Sequence, residues 1–238
     1  MNEIDGRTVL IPGGTGHVGR AVTRRFLEAG AVVLVAARRP EALDELRASL
    51  GSLAERLFTR PADVGDEAEV SRLMEEARAR LGHVDALVHL VGGFAGGVPV
   101  AELPTRSWEE MLTLNLRSTF YCVRGVLPHM LERRFGKIVT VAARSGLKGT
   151  PRSAAYSAAK AGVIALTQAV ADEVKDAGVN VNCVVPSTID TPANRAAMPR
   201  ADFTKWVKPE EVADVMLFLV SDAARAMHGA VVPVFARA

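Results

Sequence analysis

Tyr156 and Lys160 are the residues of this chain whose types and spacing most directly suggest chemistry. They stand four positions apart in a segment that we predict to be a helix from about Ala154 to Asp176, so both side chains leave one face of that helix. A neighbouring ammonium stabilises a phenolate, which predicts a lowered pKa for the Tyr156 phenol and a side chain able to give or take a proton near neutral pH. The alternative is a surface pair without a role.

A second chemical signal is a glycine-rich turn near the N-terminus, with the pattern G-x-G-x-x-G at Gly14, Gly16 and Gly19. Glycine lets backbone N–H groups approach a diphosphate, and the N-terminus of a following helix adds a partial positive charge. Because the turn lies between a predicted strand and a predicted helix, we expect dinucleotide binding rather than glycines that serve only packing. The residues predicted to bind the cofactor here are Gly13, Gly14, Thr15, Gly16, His17, Val18 and Gly19.

The end of the second predicted strand bears on the choice between NAD and NADP, because an acidic residue there holds the ribose 2′-hydroxyl and a basic one holds a 2′-phosphate. The sequence offers Arg38 and Arg39 and no carboxylate. Guanidinium groups form charge-assisted, forked hydrogen bonds with phosphate. We therefore predict NADP(H) as the preferred cofactor and NAD(H) as the second candidate. The alternative is that both arginines are solvated surface residues.

These motifs need a scaffold, and the chain alternates short β-branched runs with longer stretches of helical apolar spacing. That alternation predicts an α/β fold: a single-domain doubly wound parallel sheet (Rossmann fold) of about seven strands with helices on both faces. The domain spans residues 1–238, with a Pro-rich insertion at 186–208 that we interpret as a lid. The predicted strands are Thr8 to Ile11, Val32 to Ala36, Leu57 to Thr59, Ala86 to Val91, Lys137 to Val141, Val179 to Val185 and Ala230 to Phe235.

Helix boundaries follow from capping residues and from proline and glycine. Asp66 is expected to cap a helix that ends near Leu81, and Ser107 to cap a long helix through about Leu131 with a bend or an end at Pro128. The other predicted helices are Val18 to Ala29, Pro40 to Leu50, Ala154 to Asp176 and Pro209 to Val220.

The composition, with 49% hydrophobic and 24% charged residues and a net charge of +2, fits a folded globular protein and excludes a disordered tail. The basic residues are scattered, so nucleic acid is not an expected partner. The strongest apolar run, residues 31–37, is far shorter than the about 20 residues needed to cross a bilayer, and the polar N-terminus lacks a secretory pattern. Cys122 and Cys183 form no metal or disulfide pattern. We expect no metal, no membrane contact and a cytoplasmic location.

Asp63 after the third strand, Asn115 in Leu-Asn-Leu, and the run from Tyr156 to Gly162 add to the glycine turn. Together they resemble the short-chain dehydrogenase/reductase family over essentially the whole chain. The resemblance implies a nicotinamide cofactor, a small-molecule substrate, and assembly into a homodimer or homotetramer through the helices at 107–131 and 154–176. Tyr156 would be the general acid/base, Lys160 would orient the nicotinamide ribose and lower the phenol pKa, and Asn115 would hold a water in a proton relay. The remaining implied cofactor contacts are Asp63 and Val64 near the adenine, and Pro186, Thr188, Ile189 and Thr191 near the nicotinamide.

The sequence departs from the family pattern at three places. Ala143 stands thirteen positions before Tyr156, where the family has a serine that hydrogen-bonds the substrate oxygen, and Ser145 is the nearest hydroxyl in sequence. His89 begins a segment that replaces the family's Asn-Asn-Ala-Gly, and we interpret it as a core histidine bonded to backbone rather than as a proton-transfer group. The middle glycine of the family's turn falls at position 17, which is His17 here.

Several loops are similar to those of dihydropteridine reductase, a member of the same superfamily that keeps the Tyr/Lys pair and lacks the serine. They are residues 91–97, 149–151, 190–195, 198–199 and 201–203, with Ala143 and Trp206. Such an enzyme reduces an already electrophilic ring, which needs less polarisation by a hydroxyl. Phe203 and Trp206 would either close a lid over the cofactor or stack on a flat ring, and the sequence supports both equally.

The leading hypothesis is an NADP(H)-dependent oxidoreductase that transfers hydride to a carbonyl or a conjugated, quinonoid ring, with Tyr156 as the proton donor. Dihydropteridine reductase activity proper is the second hypothesis. The third is a catalytically weak NADPH-binding sensor or scaffold, against which the joint presence of Asn115, Tyr156 and Lys160 argues.

Overall fold

The structure, a computed structural model, describes residues 4–237 and contains one parallel sheet with the strand order β3-β2-β1-β4-β5-β6-β7. This confirms the predicted doubly wound α/β fold. The strands are β1 (Thr8–Pro12), β2 (Val32–Ala37), β3 (Leu57–Pro61), β4 (Ala86–Val88), β5 (Gly136–Val141), β6 (Val179–Pro186) and β7 (Val231–Val234).

Helices cover both faces of this sheet. They are α1 (His17–Glu28), α2 (Pro40–Leu50), α3 (Glu67–Leu81), α4 (Thr105–Leu112), α5 (Ser118–Arg133), α6 (Arg144–Leu147), α7 (Ala154–Val174), α8 (Pro192–Ala197) and α9 (Pro209–Val220). Phe26 of α1, Leu46 of α2 and Met216 of α9 belong to the core on one face. The core on the other face includes residues of α3, α5 and α7. The strands lie between two apolar layers, which explains their nearly continuous hydrophobic sequences.

The strand order reverses between β1 and β4, because the chain builds outward from β1 to β3 and then returns to the other side of β1. Ligands of open α/β sheets bind at such a switch point, outside the carboxyl ends of the strands. The glycine turn after β1 and the loop after β4 both lie there. The fold therefore places the two predicted chemical motifs at one edge of the sheet.

The predicted strand from Ala86 to Val91 is too long, since β4 ends at Val88. The N–H of His89 still donates to the Val139 carbonyl at 2.9 Å, and that of Leu90 to the Pro12 carbonyl at 2.9 Å. After these two bonds the chain leaves the sheet. The apolar sequence does not mark this exit, because Leu90 and Val91 pack against the cores beside the strand.

The predicted helix capped by Ser107 is wrong in two respects. It begins earlier, at Thr105 after Pro104, and a π-helical turn at Thr113–Arg117 separates α4 from α5. Proline is well placed just before a helix, which explains the earlier start. Pro128 lies inside α5 without ending it, whereas the predicted Asp66 cap is confirmed by bonds from the N–H groups of Ala68 and Glu69. No helix within residues 4–237 is long and apolar enough to span a membrane.

Candidate functional site

A cleft of about 820 Å³ opens at the carboxyl ends of β1, β2 and β4. Its lining residues include several that the sequence predicted for the cofactor: Gly13, Thr15, Gly16, Arg38, Asp63 and Val64. Gly14 and Gly19 are buried beneath the turn, His17 is the exposed first residue of α1, and Val18 is partly buried next to it. The structure thus brings the glycine turn together with the ends of β2 and β3.

The glycines of the turn have two different roles: two of them allow close packing, and one leaves space that a diphosphate could occupy. A Cβ at Gly14 would lie 2.8 Å from the Val35 side chain, and one at Gly19 would lie 2.2 Å from the Gly13 carbonyl oxygen. These positions need glycine for packing. A Cβ at Gly16 would meet only the Gly13 carbonyl oxygen, at 3.6 Å, so this glycine leaves open space at the start of α1, where unpaired N–H groups favour an anion.

The two arginines after β2 lie in different surroundings. Arg38 lines the cleft, whereas Arg39 is the residue just before α2 and is not among the lining residues. Both are exposed. Asp63 lies across the cleft, where its carboxylate accepts a hydrogen bond from the Gly65 N–H at 2.9 Å. Of the predicted pair, only Arg38 lines the cleft.

Tyr156 and Lys160 both belong to α7, and their side chains lie on the same face, as the spacing predicted. The Lys160 ammonium is 5.9 Å from the centre of the Tyr156 ring, and it donates a hydrogen bond to the Val141 carbonyl at the end of β5 at 2.8 Å. Lys160 is buried and Tyr156 is partly buried. The ring of Phe94 packs edge to face on the Tyr156 ring, with the centroids 5.1 Å apart.

The expected lowering of the Tyr156 pKa by Lys160 is wrong for this structure. Burial raises the pKa of the Tyr156 phenol to about 12, and burial lowers the pKa of the Lys160 ammonium to about 8. Desolvation outweighs the ammonium at their separation, because it disfavours the charged form of each group. Tyr156 is therefore held as a neutral phenol, which is the form that donates a proton.

Asn115 is fully buried within the π-helical turn. Its side-chain amide both accepts from the Gly93 N–H at 3.1 Å and donates to the Gly93 carbonyl at 3.0 Å, so it fixes the loop after β4. A Cβ at Gly92 would lie 2.9 Å from Asn115 Oδ1 and 3.2 Å from Lys160 Nζ. Because Gly92 also lines the cleft, the predicted catalytic residues Asn115 and Lys160 lie next to the cleft.

Position 143, where the family has its serine, lies just before α6 and holds an alanine, so it offers no hydroxyl. Ser145 lies one residue inside that short helix. His89 is fully buried, and its ring contacts the Thr119 hydroxyl of α5 at 3.3 Å. A hydrogen bond with the backbone of His89 itself also acts on the pKa of the ring, which agrees with the predicted core histidine.

The segment after β6 is held by its own contacts. The Thr188 carbonyl accepts from the Val207 N–H at 3.0 Å, Ile189 pairs with Val207, and Thr191 caps α8 through a bond from the Asn194 N–H. Pro186, Thr188, Ile189 and Thr191 are not among the residues that line the cleft. Their predicted role at the nicotinamide stays a prediction.

Trp206, proposed for the lid, is buried at 7% exposure, and Phe203 packs on it with centroids 4.8 Å apart. Arg195, held by Asp190, covers the Phe203 ring on another side. Trp206 is therefore a core residue in this structure and presents no free face to a flat ring. Sequence reasoning missed Phe94, which is 69% exposed and touches Tyr156, although an aromatic residue inside a glycine-rich loop is a usable signal.

A cleft at the switch point of a doubly wound sheet, with Asn115 and Lys160 next to Gly92 in its lining, is typical of dinucleotide-binding enzymes. The sequence matches the family described as short chain dehydrogenase over residues 7–202, and the chain belongs to that family. Members of the family are NAD(P)-dependent oxidoreductases that act on small molecules.

Individual relatives agree with this assignment. The chain is 31% identical over 238 residues to 3-oxoacyl-(acyl-carrier-protein) reductase FabG of Thermotoga maritima, and the alignment covers 97% of this chain and 96% of that protein. It is 35% identical over 245 residues to meso-2,3-butanediol dehydrogenase of Serratia marcescens, covering 98% and 94%. The crystal structure of gox2181 superposes with a TM-score of 0.93 at 29% identity, covering 98% of this chain and 96% of that one.

Proposed function

We propose that the protein is an NADP(H)-dependent reductase of carbonyl or conjugated ring compounds, with Tyr156 as the proton donor. The observation that carries the proposal is that Arg38, Gly16 and Gly92 line one continuous cleft. A Cβ on Gly92 would lie 2.9 Å from Asn115 Oδ1 and 3.2 Å from Lys160 Nζ, so the predicted catalytic residues adjoin this cleft. A cofactor bound along this line would have its phosphates at the basic end and its reactive ring at the end with the proton donor.

The residues of the cleft divide the work of holding the cofactor. The turn from Gly13 to Gly19 and the first N–H groups of α1 would hold the diphosphate, since they combine open space with unpaired donors. Arg38 would pair with a 2′-phosphate, and no carboxylate follows β2 to compete for a 2′-hydroxyl. Asp63 and Val64 would border the adenine, and the segment Pro186 to Thr191 the nicotinamide.

The bound nicotinamide supplies the hydride. Tyr156 supplies the proton to the anion that develops on the substrate, and its raised pKa, about 12, keeps the phenol protonated at neutral pH, which favours the reductive direction. Lys160 holds its charge next to the phenol and close to Gly92. Because its pKa lies near 8, we expect reduction to slow as the pH rises through that value and the ammonium is lost.

Ala143 and Phe94 point to the kind of substrate. Without a hydroxyl at position 143, a simple ketone loses one hydrogen bond to its developing oxyanion, a deficit of about 3–4 kcal/mol. A conjugated or quinonoid ring spreads the developing charge and depends less on that bond. Phe94 offers an exposed aromatic surface against Tyr156, suited to a flat ring. The same two residues favour dihydropteridine reductase activity as the second candidate.

A comparison of Arg38 and Arg39 tests the cofactor preference. Arg38→Ala should lower kcat/KM for NADPH by tenfold or more and leave the value for NADH nearly unchanged, because the lost guanidinium pairs with the 2′-phosphate alone. Arg39→Ala is the matched control, since this arginine is also exposed but is not among the residues that line the cleft. Equal effects of the two variants, or a wild-type preference for NADH, would contradict the assignment.

A substrate screen tests the activity. Purified protein with NADPH would be offered simple ketones, quinones and quinonoid dihydropterin, with cofactor oxidation followed by absorbance. We expect quinones or the dihydropterin to be reduced faster than ketones, and a clear preference for the dihydropterin would establish the second candidate. Tight NADPH binding without turnover of any class would instead support a sensor or scaffold.

We also propose that copies of the chain associate through α4, α5 and α7. Phe120 and Leu131 of α5 are each 39% exposed, which leaves apolar surface on this helix for a second copy. Sedimentation of the wild type should show a dimer or a tetramer, and Phe120→Arg should shift it toward the monomer. A monomeric wild type would refute this part of the proposal.

A further inference from the structure

His89 occupies a position that the proposed mechanism leaves unused. It directly follows β4, its side chain is 1% exposed, and it stands where the sequence pattern of the family has an asparagine. Imidazole carries two ring nitrogens, and each needs a hydrogen-bonding partner when buried. The partners of these two nitrogens decide what the residue can do.

The hydrogen bonds of Thr119 assign the protonated nitrogen. The Thr119 hydroxyl donates to the Asn115 carbonyl at 2.8 Å and lies 3.3 Å from His89 Nδ1. A hydroxyl has a single proton, and here it is committed to the shorter bond. Thr119 must therefore accept from His89, which places the proton of the neutral imidazole on Nδ1 and leaves Nε2 as a bare acceptor.

Nε2 of His89 is buried and has no hydrogen-bond partner within residues 4–237. Lys160 shows the opposite imbalance. Its buried ammonium donates one hydrogen bond in the described part of the chain, to Val141, although an ammonium has three donors. Lys160 lies close enough for its charge to lower the pKa of His89. A buried acceptor without a donor, near a buried ammonium with donors to spare, is the condition under which proteins hold an internal water.

We propose that His89 is a positioning residue: Nδ1–H fixes the Thr119 hydroxyl on the Asn115 carbonyl, and Nε2 accepts a hydrogen bond from an internal water shared with the Lys160 ammonium. The ring thereby ties Asn115 and Lys160, which lie on different helices, to the end of β4. This inference deepens the proposed function and rests on it for its effect on turnover.

The surroundings keep the His89 ring neutral, as this role requires. Burial and the nearby charge of Lys160 lower the pKa of His89 to about 3. The polar or titratable groups that contact Thr119 or Lys160, or that are linked to them through Cys183, include Asn115, Tyr156, Cys183, Thr140 and Thr167. Burial raises the pKa of the Cys183 thiol, so it is neutral as well. Lys160 is thus the charged member of this group, and His89 acts through hydrogen bonds rather than proton transfer.

The first test is the tautomer, read by proton–nitrogen NMR of the histidine ring in the full-length wild-type protein. We expect Nδ1 protonated and Nε2 bare from neutral to mildly alkaline pH, with a cross-peak from a slowly exchanging water. A proton on Nε2, or a doubly protonated ring at neutral pH, would overturn the proposal. This measurement needs no substrate, so it stands even if the proposed activity fails.

The second test uses two substitutions, each of which keeps a polar group at the position of only one ring nitrogen of His89. The amide of His89→Asn reaches the position of Nδ1 and not that of Nε2, whereas the amide of His89→Gln reaches the position of Nε2. We expect His89→Asn to lower kcat about tenfold, as the loss of one hydrogen bond to a charged group does, and to move the alkaline limb of its pH profile to lower pH. His89→Gln, which keeps an acceptor at the position of Nε2, should return the alkaline limb to its wild-type position.

Thermal unfolding of each variant separates this effect from damage to the fold. The proposal would be overturned if His89→Asn had a wild-type pH profile, or if both variants lost kcat equally while their pH limbs stayed in place. If the wild type itself reduced no substrate, the proposed function would fail, and the NMR result would still decide the tautomer of His89.

Discussion

The two ends of β4 hold two buried polar groups that differ in how completely they are paired. Asp85 precedes the strand and His89 follows it, and both are nearly inaccessible to solvent. The Asp85 carboxylate accepts from the Thr8 N–H at 3.0 Å and from the Thr8 hydroxyl at 3.1 Å, and Arg133 donates to its other oxygen at 3.0 Å. At the other end, His89 Nε2 has no partner within residues 4–237, and Lys160 uses one donor.

The ionisation of the two ends follows from this difference. Burial alone would raise the pKa of Asp85, but hydrogen bonds from Thr8 and Arg133 and the nearby His83 hold it below its ordinary value. Burial lowers the pKa of Lys160 to about 8, with little opposing it. Removing one partner of a paired buried charge is strongly destabilising, whereas an incompletely paired buried charge itself costs stability and is typical of functional sites. We therefore expect substitutions at the amino end of β4 to act mainly on stability and those at the carboxyl end mainly on catalysis.

Tyr156→Phe should give the largest effect, confined to the carboxyl end. We expect kcat to fall about a thousandfold, since the proton donor is removed. The free energy of unfolding should stay within about 0.5 kcal/mol, because the Tyr156 hydroxyl makes no hydrogen bond to the described residues and the ring contact with Phe94 is kept. Steady-state kinetics and urea unfolding check the two halves of this prediction. Turnover close to wild type would remove Tyr156 from the mechanism.

Asp85→Asn tests the other end and should lower the free energy of unfolding by about 3 kcal/mol at neutral pH, because Arg133 and Thr8 lose a buried anion. The matched control is Asp214→Asn, whose carboxylate pairs with Arg25 but is 60% exposed, so its loss should matter little. Urea unfolding at neutral pH measures both variants.

The pH dependence of Asp85→Asn gives a second check. The folded-state pKa of Asp85 is depressed, so its contribution is complete above its unfolded value near 3.8 and is lost as the pH falls through the folded value. The stability of the variant and that of the wild type should therefore converge in acid. A gap that persists unchanged at low pH would assign the effect to packing instead of charge.

Lys160→Met should raise the free energy of unfolding, whereas Asp85→Asn should lower it. Replacing a buried, incompletely paired ammonium by an apolar side chain of similar length should raise the unfolding free energy of the cofactor-free protein by about 2 kcal/mol and abolish turnover. The gain should shrink as the pH rises from about 8, because the wild-type lysine then sheds its charge in the folded state. Thermal unfolding across this range measures it, and a destabilised variant would mean that Lys160 is fully paired.

Local sequence signals predicted the carboxyl end only in part. The glycine turn and the four-residue spacing of Tyr156 and Lys160 act within one turn or one helix, and the structure places them as expected. The raised Tyr156 pKa and the contact between His89 and Thr119 depend on burial and on α5 packing against β4. Such contacts join residues far apart in sequence, so no local pattern records them.

The sequence contained no pattern that predicted the interactions of Asp85 at the amino end of β4. Asp85 reads as an ordinary polar residue before a strand, and its partners Thr8 and Arg133 are 77 and 48 positions away. The π-helical turn that buries Asn115 was likewise absent from the helical periodicity, which predicted one continuous helix. Sequence therefore located the chemistry more readily than the interactions that position it.

Ala143→Ser should give the smallest effect on activity, and it tests a single hydroxyl at the carboxyl end of the sheet. A hydroxyl before α6 would offer a donor to a substrate oxyanion, and we expect about a tenfold gain in kcat/KM for simple ketones, less than an ideal oxyanion bond gives because the surrounding loop did not evolve around it. Ser145→Ala, the control, should change nothing if that hydroxyl does not reach the substrate. Stability should be unaffected in both variants, since neither change touches the Asp85 end. An unchanged ketone rate in Ala143→Ser would mean that the geometry of the loop, and not the missing hydroxyl, selects against ketones.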